Sequence, residues 1–329
     1  MKMKALGWLV VAGALASSFL SCSQPKVECV AAHAGAFYGF AAKYTPTGTP
    51  AACAQAILQP GDTIGFETYH PSKDTGDGPQ ADYSSTLVAI QADILGNTAK
   101  GKRGAGLGDP LDPLTPGNYN AATDPKCTTG TPDPNCRSYK DGHNAFAFGN
   151  FDSTEPDDAD FCKISTVTPA QQDYPGADAM PPDQPDPIPA ESYKYAWKNL
   201  SVYVTATSQG TQFEGDLTYT QDACTVDYHV VGVWPGVGCL LDFDEMGNPI
   251  FQDSLCCPDA DPNDANRAVG SGINPDFPVV CDHNIGMCVL EMKDGDKLPI
   301  LKPDWAKDET AHPECKPRPA PAGAGGGGS

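Results

Sequence analysis

The chain has 329 residues, with 42 acidic against 21 basic side chains and a formal net charge of −21. That field repels phosphate backbones and anionic headgroups, which excludes nucleic acid as a partner and favours divalent cations or basic surfaces. Its 34 Gly and 32 Pro stand well above average shares of roughly 7% and 5%, so long helices are excluded and a loop-rich β architecture is expected.

At the N-terminus Lys2 and Lys4 precede an apolar run from Ala5 to Leu20. The run is too short and wrongly flanked to span a membrane and has the layout of a secretory signal. It ends in Phe19-Leu20-Ser21-Cys22, similar to a bacterial lipobox, in which the Cys is acylated and becomes the new N-terminus. The usual box has Leu three places before the Cys; here Phe19 holds that place. The expected layout is a lipoprotein-type signal over 1–21, a lipidated Cys22 and a tether over 22–28. By analogy with other lipoproteins, Ser23 directs the protein to the outer membrane, on its periplasmic or cell-surface face. Cleavage after Ala14-Leu15-Ala16 is the alternative and would give a secreted protein.

The first strand is expected between Val27 and Tyr44, where Phe37, Tyr38 and Phe40 follow Cys29. Thr49-Pro50 opens one or two helical turns over 51–58, with Thr as cap and Pro at the first position. Ile64, Phe66 and Thr68 alternate with polar neighbours in a second strand, and Ser84 to Leu95 supplies a third. Residues 96–143 read as loop. Within it Gly101 to Gly108 lacks the Lys-Ser/Thr and the helix that a phosphate-binding loop requires. Ala145 to Asp152 is expected to hold a short strand. A second loop, 168–192, is rich in proline and reads as a semi-rigid extended connection.

The clearest signal follows. Leu200, Val202, Val204 and Ala206 alternate with hydroxyl-bearing residues, and the pattern resumes at Phe213, Leu217 and Tyr219 and again from Cys224 to Val230. Period-two alternation in three segments separated by Ser208–Thr211 and Gln221–Ala223 predicts an antiparallel meander. With the earlier strands it makes a mainly β fold, an antiparallel sandwich of about seven or eight strands over 29–241. Residues 242–315 read as an irregular segment stapled by disulfides, and 316–329 as a disordered tail.

Besides Cys22 there are twelve cysteines: Cys29, Cys53, Cys127, Cys136, Cys162, Cys224, Cys239, Cys256, Cys257, Cys281, Cys288 and Cys315. In an exported chain they predict a disulfide framework. Cys127 and Cys136 are spaced to close a small ring, and Cys281 and Cys288 to clasp a hairpin. The remaining connectivity stays open.

Asp259, Asp261, Asn263 and Asp264 place oxygen donors in the spacing that opens a calcium loop. The sixth position is Asp264 instead of Gly and the twelfth is Gly270 instead of Glu, so a solvated acidic turn is the competing reading. No cofactor is assigned, and calcium is the one candidate. The histidines are scattered and no Cys-x-x-Cys occurs, which argues against zinc and c-type haem. Gly270-Ser271-Gly272 lacks the strand-to-helix context of a nucleophile elbow, and no catalytic residue is assigned. Tyr195, Trp197 and Tyr203 share one parity and could form a glycan-stacking platform, against a core position for Trp197.

Cys29 onward, the meander ending in Asp216-Leu217-Thr218-Tyr219-Thr220-Gln221-Asp222-Ala223-Cys224, and Gly270–Phe277 before Cys281–Leu290 resemble secreted, Cys-rich lipoproteins of predatory, gliding soil bacteria. The resemblance implies export and a disulfide-bonded β domain and carries no activity or site residues. The expected function is a lipid-anchored envelope or surface protein with a non-catalytic structural or binding role toward a protein or glycan. A calcium-dependent binding module is the alternative, and a carboxylate-based hydrolase comes third.

Overall fold

The computed structural model describes residues 27–32, 39–96, 146–174, 187, 189–293 and 296–319. The signal-like segment with Cys22, the Gly101–Gly108 stretch, the ring expected between Cys127 and Cys136, and residues 320–329 lie outside these ranges. Among the described residues no helix is long and apolar enough to cross a membrane.

The strands in chain order are β1 (Phe40–Pro46), β2 (Gly61–Tyr69), β3 (Ser72–Asp74), β4 (Pro79–Ala81), β5 (Leu87–Ala92), β6 (Ala147–Asn150), β7 (Phe161–Ile164) and β8 (Ala170–Tyr174). They continue with β9 (Glu191–Val204), β10 (Gln209–Gln221), β11 (Cys224–Val233), β12 (Leu240–Phe243), β13 (Pro249–Phe251), β14 (Val279–Asp282) and β15 (Met287–Leu290). Nine form one antiparallel sheet in the order β6-β5-β2-β1-β11-β10-β9-β7, with β8 following β7 along the same edge of β9. The expected meander is β9–β11. Its second turn pairs Gln221 with Cys224, and Asp222 adopts φ 53°, a conformation that Asp tolerates better than most side chains.

The sheet rolls up on itself. Phe66 of β2 and Phe213 of β10 stand three strands apart, roughly 14 Å on a flat sheet with ~4.8 Å spacing, yet their ring centroids are 4.9 Å apart. The Phe213 ring occupies the space of a missing side chain: a Cβ on Gly232 would sit 2.1 Å from it. The two edges then meet. Gly149 of β6 bridges Val167, Phe148 N–H donates to Thr168 Oγ1 at 2.9 Å, and Thr168 N–H donates back to the Phe148 carbonyl at 2.8 Å. Closure of this kind removes the exposed edges that invite pairing with other chains. The mainly β, antiparallel architecture expected from the alternation is present. The count is nine strands, and opposite walls of one rolled sheet take the place of separate layers.

Several boundaries differ from expectation. The first strand begins only at Phe40, and the third ends at Ala92, where one helical turn follows. Part of the supposed proline-rich loop is strand β8, which pairs Ala170–Tyr174 with Glu191–Tyr195. The strand itself contains no proline, Pro169 preceding it and Pro175 following it in sequence, so no ladder donor is lost. Strand β7 and the small β3–β4 hairpin had no clear alternation to reveal them.

A bulge in β9 decides which side chains enter the barrel. Lys198 pairs with Asp216 and Ser201 with Glu214, so Asn199 and Leu200 oppose Gly215 alone. Asn199 takes φ 51° and donates to Asp216 Oδ2 at 2.6 Å. The extra residue inverts the parity. Tyr195 and Trp197 therefore point inward together with Leu200, Val202 and Val204.

The segment after Cys239 packs against the outside of the roll. Ala41, Val231 and Val233, on the outer faces of β1 and β11, share a second core with Phe277, Val279, Val289 and Trp305. Gln212 is fully buried there, accepting from Ile300 N–H and donating to the Ile300 carbonyl, both at 3.1 Å. Lys43 reaches Asp282 at 3.0 Å. This segment carries three disulfides, Cys239–Cys281, Cys256–Cys288 and Cys257–Cys315. The barrel carries Cys29–Cys162 and Cys53–Cys224. The clasp expected between Cys281 and Cys288 is not formed. The two face each other across β14–β15, but each sulfur is bonded to a cysteine outside the hairpin.

Gly232→Ala tests the roll. The Phe213 ring is hemmed by Phe40 at 5.1 Å and Phe66 at 4.9 Å, so an added methyl has no room. The substitution is expected to cost about 1–3 kcal/mol in urea denaturation, and Phe213→Leu in the same chain should recover part of it.

Candidate functional site

The inner face of the roll is graded along its length. One end is hydrocarbon, built from Phe40, Phe66 and Phe213 with Trp197 beside them at 6.4 Å. The other end is polar. There the strand ends bring together Tyr44 of β1, Asp62 of β2, Tyr195 of β9, Tyr219 of β10 and Tyr228 of β11. Register places them: Ala42 pairs with Asp62, which sets Tyr44 diagonally from the carboxylate, and Tyr219 pairs with Tyr195. The Tyr44 and Tyr228 rings lie 5.4 Å apart and those of Tyr195 and Tyr219 5.0 Å apart.

The turn Cys53–Ile57 lies against this end, held to the start of β11 by Cys53–Cys224, and its Ala54 is buried in the barrel core. Just beyond, Gln59 N–H donates to Tyr228 Oη at 2.9 Å, while Tyr219 Oη donates to Gln221 Oε1 at 3.0 Å. Two phenols have no such partner. Among the described residues Tyr44 Oη and Tyr195 Oη are buried and unbonded, a cost of about 1–3 kcal/mol each that a phenylalanine would not incur.

Asp62 is only 7% exposed. Its Oδ1 accepts from Thr63 N–H at 2.7 Å and its Oδ2 from Ile94 N–H at 3.1 Å. A carboxylate offers about four lone-pair positions, so part of its accepting capacity stays unused. Burial, reinforced by the nearby Asp93 carboxylate, pushes its pKa up to about 7 against the two backbone donors. Burial and then the charge of Asp62 likewise raise the Tyr44 and Tyr195 phenols.

The residues singled out from sequence lie elsewhere. Asp261 and Asp264 are buried while Asp259 and Asn263 are exposed. Among the described residues they form no group with three ligand atoms mutually within 4.8 Å. The two buried carboxylates meet arginines. Asp261 Oδ2 meets Arg267 Nη2 at 3.0 Å and accepts from Arg318 N–H at 2.8 Å. Asp264 Oδ2 meets Arg318 Nη2 at 3.1 Å, and its Oδ1 accepts from Asn266 N–H. Arg267 Nη1 also donates to the Glu314 carbonyl at 3.1 Å. The Arg318 backbone donor, then that of Asn263 and the two guanidinium groups, hold the Asp261 carboxyl below its ordinary range despite burial. The acidic turn is thus a clamp on the C-terminal stretch.

The stacking platform is also not built. Tyr195 and Trp197 are inside the barrel, and Tyr203 lies on the other face against Phe161 at 5.7 Å. His229 is on the outer face, 3.5 Å from Asp216 and 42% exposed. Asp62 was missed, although its parity with Ile64 and Phe66 puts it on the apolar face of β2.

Residues 38–235 match the MlpA family model, a span that contains all nine strands of the rolled sheet and stops before the segment packed outside it. A Myxococcus xanthus chain that carries the name lipoprotein MlpA is 33% identical over 135 residues, 41% of this chain and 46% of that protein. The match thus spans less than half of that relative. No solved structure matches the chain.

Two outcomes are expected from this geometry. Below about pH 4 the Asp62 carboxyl is protonated both folded and unfolded. As pH rises toward about 7 the unfolded carboxyl ionises while the folded one keeps its proton, so stability falls, levelling off above that pH at a loss on the order of 4 kcal/mol. Asp62→Asn should therefore raise Tm at pH 8 and leave it unchanged near pH 4. Separately, Arg267→Met should lower Tm by several degrees because it strands the buried Asp261 carboxylate, and adding Asp261→Leu should restore much of the loss.

Proposed function

Because the chain belongs to the MlpA family, we propose that it is an exported, lipid-anchored envelope protein whose barrel binds a ligand without transforming it. Export is carried by one observation, the five disulfides that join distant parts of the described chain. Such a framework persists in oxidising compartments and is rare in the cytosol. The anchor is supported by Phe19-Leu20-Ser21-Cys22 and by a relative named as a lipoprotein. Acylation of Cys22 would tether the barrel through residues 22–28, and Ser23 fits retention at the outer membrane.

A binding role is supported by the interior. The polar end holds a buried carboxylate and unpartnered phenols at a cost in stability, which suits a site selected for a ligand better than a plain scaffold.

Mass spectrometry of the non-reduced protein from its native membrane fraction tests the anchor. A diacyl or triacyl mass on Cys22 is expected, and Cys22→Ser should move the protein to the soluble fraction. An unacylated N-terminus at Ser17 would make it a released protein and overturn the reading.

A further inference from the structure

We propose that the tyrosine-lined end of the barrel binds a small organic cation, an amine or a quaternary ammonium. The inference rests on the reading of this chain as a binding protein and adds the chemical class of its ligand.

The site is built for something polar. Tyr44 and Tyr195 are 4% and 1% exposed, lie on the inner face, and have hydroxyls with no hydrogen-bond partner among the described residues. Phenylalanine fills the equivalent space at the opposite end of the same core, so aromatic bulk alone does not require these hydroxyls. The sign of the charge comes from Asp62. It is the one buried charged side chain of the rolled sheet among the described residues, and Lys43, Lys194 and Lys198 are on exposed positions outside. Among the described residues, an anion would meet a carboxylate and phenols here. A cation would restore to Asp62 the stabilisation lost on leaving water.

The walls fit the same ligand. Tyr44, Tyr195, Tyr219 and Tyr228 offer ring faces of the kind that attract ammonium groups. Phe40, Phe66 and Phe213, packed on one another, close the interior beyond them, which limits the ligand to a small one. A roll of about eight strand positions leaves room inside for side chains and at most one small ligand. The polar end is where the chain leaves the sheet after Gly96 and Tyr174 and returns to it at Phe146 and Pro189, and the β10–β11 turn lies at the same end. The net charge of −21 concentrates cations around the whole molecule.

Thermal melting and calorimetry of the full chain with tetramethylammonium and n-butylammonium chlorides test this, with sodium chloride at equal ionic strength as the reference. At least one of them should raise Tm saturably above the sodium reference. The rise should vanish in Asp62→Asn, provided that this variant melts cooperatively with an unchanged circular dichroism spectrum. Tyr44→Phe and Tyr195→Phe should each weaken binding roughly tenfold. No rise above sodium chloride, or an equal rise in Asp62→Asn, would overturn the proposal. Native mass spectrometry of the purified protein separates the two levels of the argument. A bound neutral or acidic molecule would overturn the cation and leave the binding reading standing; an empty protein indifferent to both amines would overturn both.

Discussion

The Phe213 ring lies over the bare backbone of Gly232, and the curvature of the whole sheet depends on that space being empty. With the ring seated there, Phe40 and Phe66 close around it from strands that would be far apart on a flat sheet. The resulting three-ring contact makes the sheet bend until β6 reaches Thr166–Thr168 beyond β7. A flatter sheet would keep two free edges and leave its inner face in need of a second layer.

Rolling gives the chain an inside and an outside with different uses. The inside is one continuous core, and its strands are the part that the family model covers. The outside of β1 and β11 is apolar as well, and the Cys-rich C-terminal segment covers it. That segment has little regular structure of its own. Its stability comes from three disulfides around a few large side chains, Trp305 and Phe277 foremost, as expected where regular structure is too sparse to build a core. The Asp261–Arg267–Arg318 clamp then fixes the last described residues onto it.

The interior is not uniform, and its asymmetry bears on function. At one end, hydrocarbon rings pack as in any β core. At the other, a carboxylate and phenols are withdrawn from water with part of their hydrogen-bonding capacity unused. Burial raises the proton affinity of Asp62 to the neutral range, so the group opposes folding at neutral pH. Natural sequences keep such groups where they serve a ligand, because selection requires only enough stability and not the maximum.

Local physics made a good part of this legible in the residues themselves. Period-two alternation marked β9, β10 and β11, because each strand has one face in a core and one in water. The cysteine content predicted disulfides, and the lipobox-like Cys22 predicted export. What needed the folded chain was everything set by contacts distant in sequence. Parity along β9 failed at Asn199 because a bulge depends on the partner strand, and so Trp197 turned from a candidate platform into core. Cys281 and Cys288 face each other, yet their partners were decided by which segments the β14–β15 hairpin lies against. Asp259 to Asp264 looked like a cation loop because its oxygen donors are closely spaced along the chain, while the guanidinium groups that meet Asp261 and Asp264 come from Arg267 and Arg318. The alternation of β2 does place Asp62 on an apolar face. Only the roll brings Tyr44, Tyr195, Tyr219 and Tyr228 around it, since four strands must close before those hydroxyls share one space.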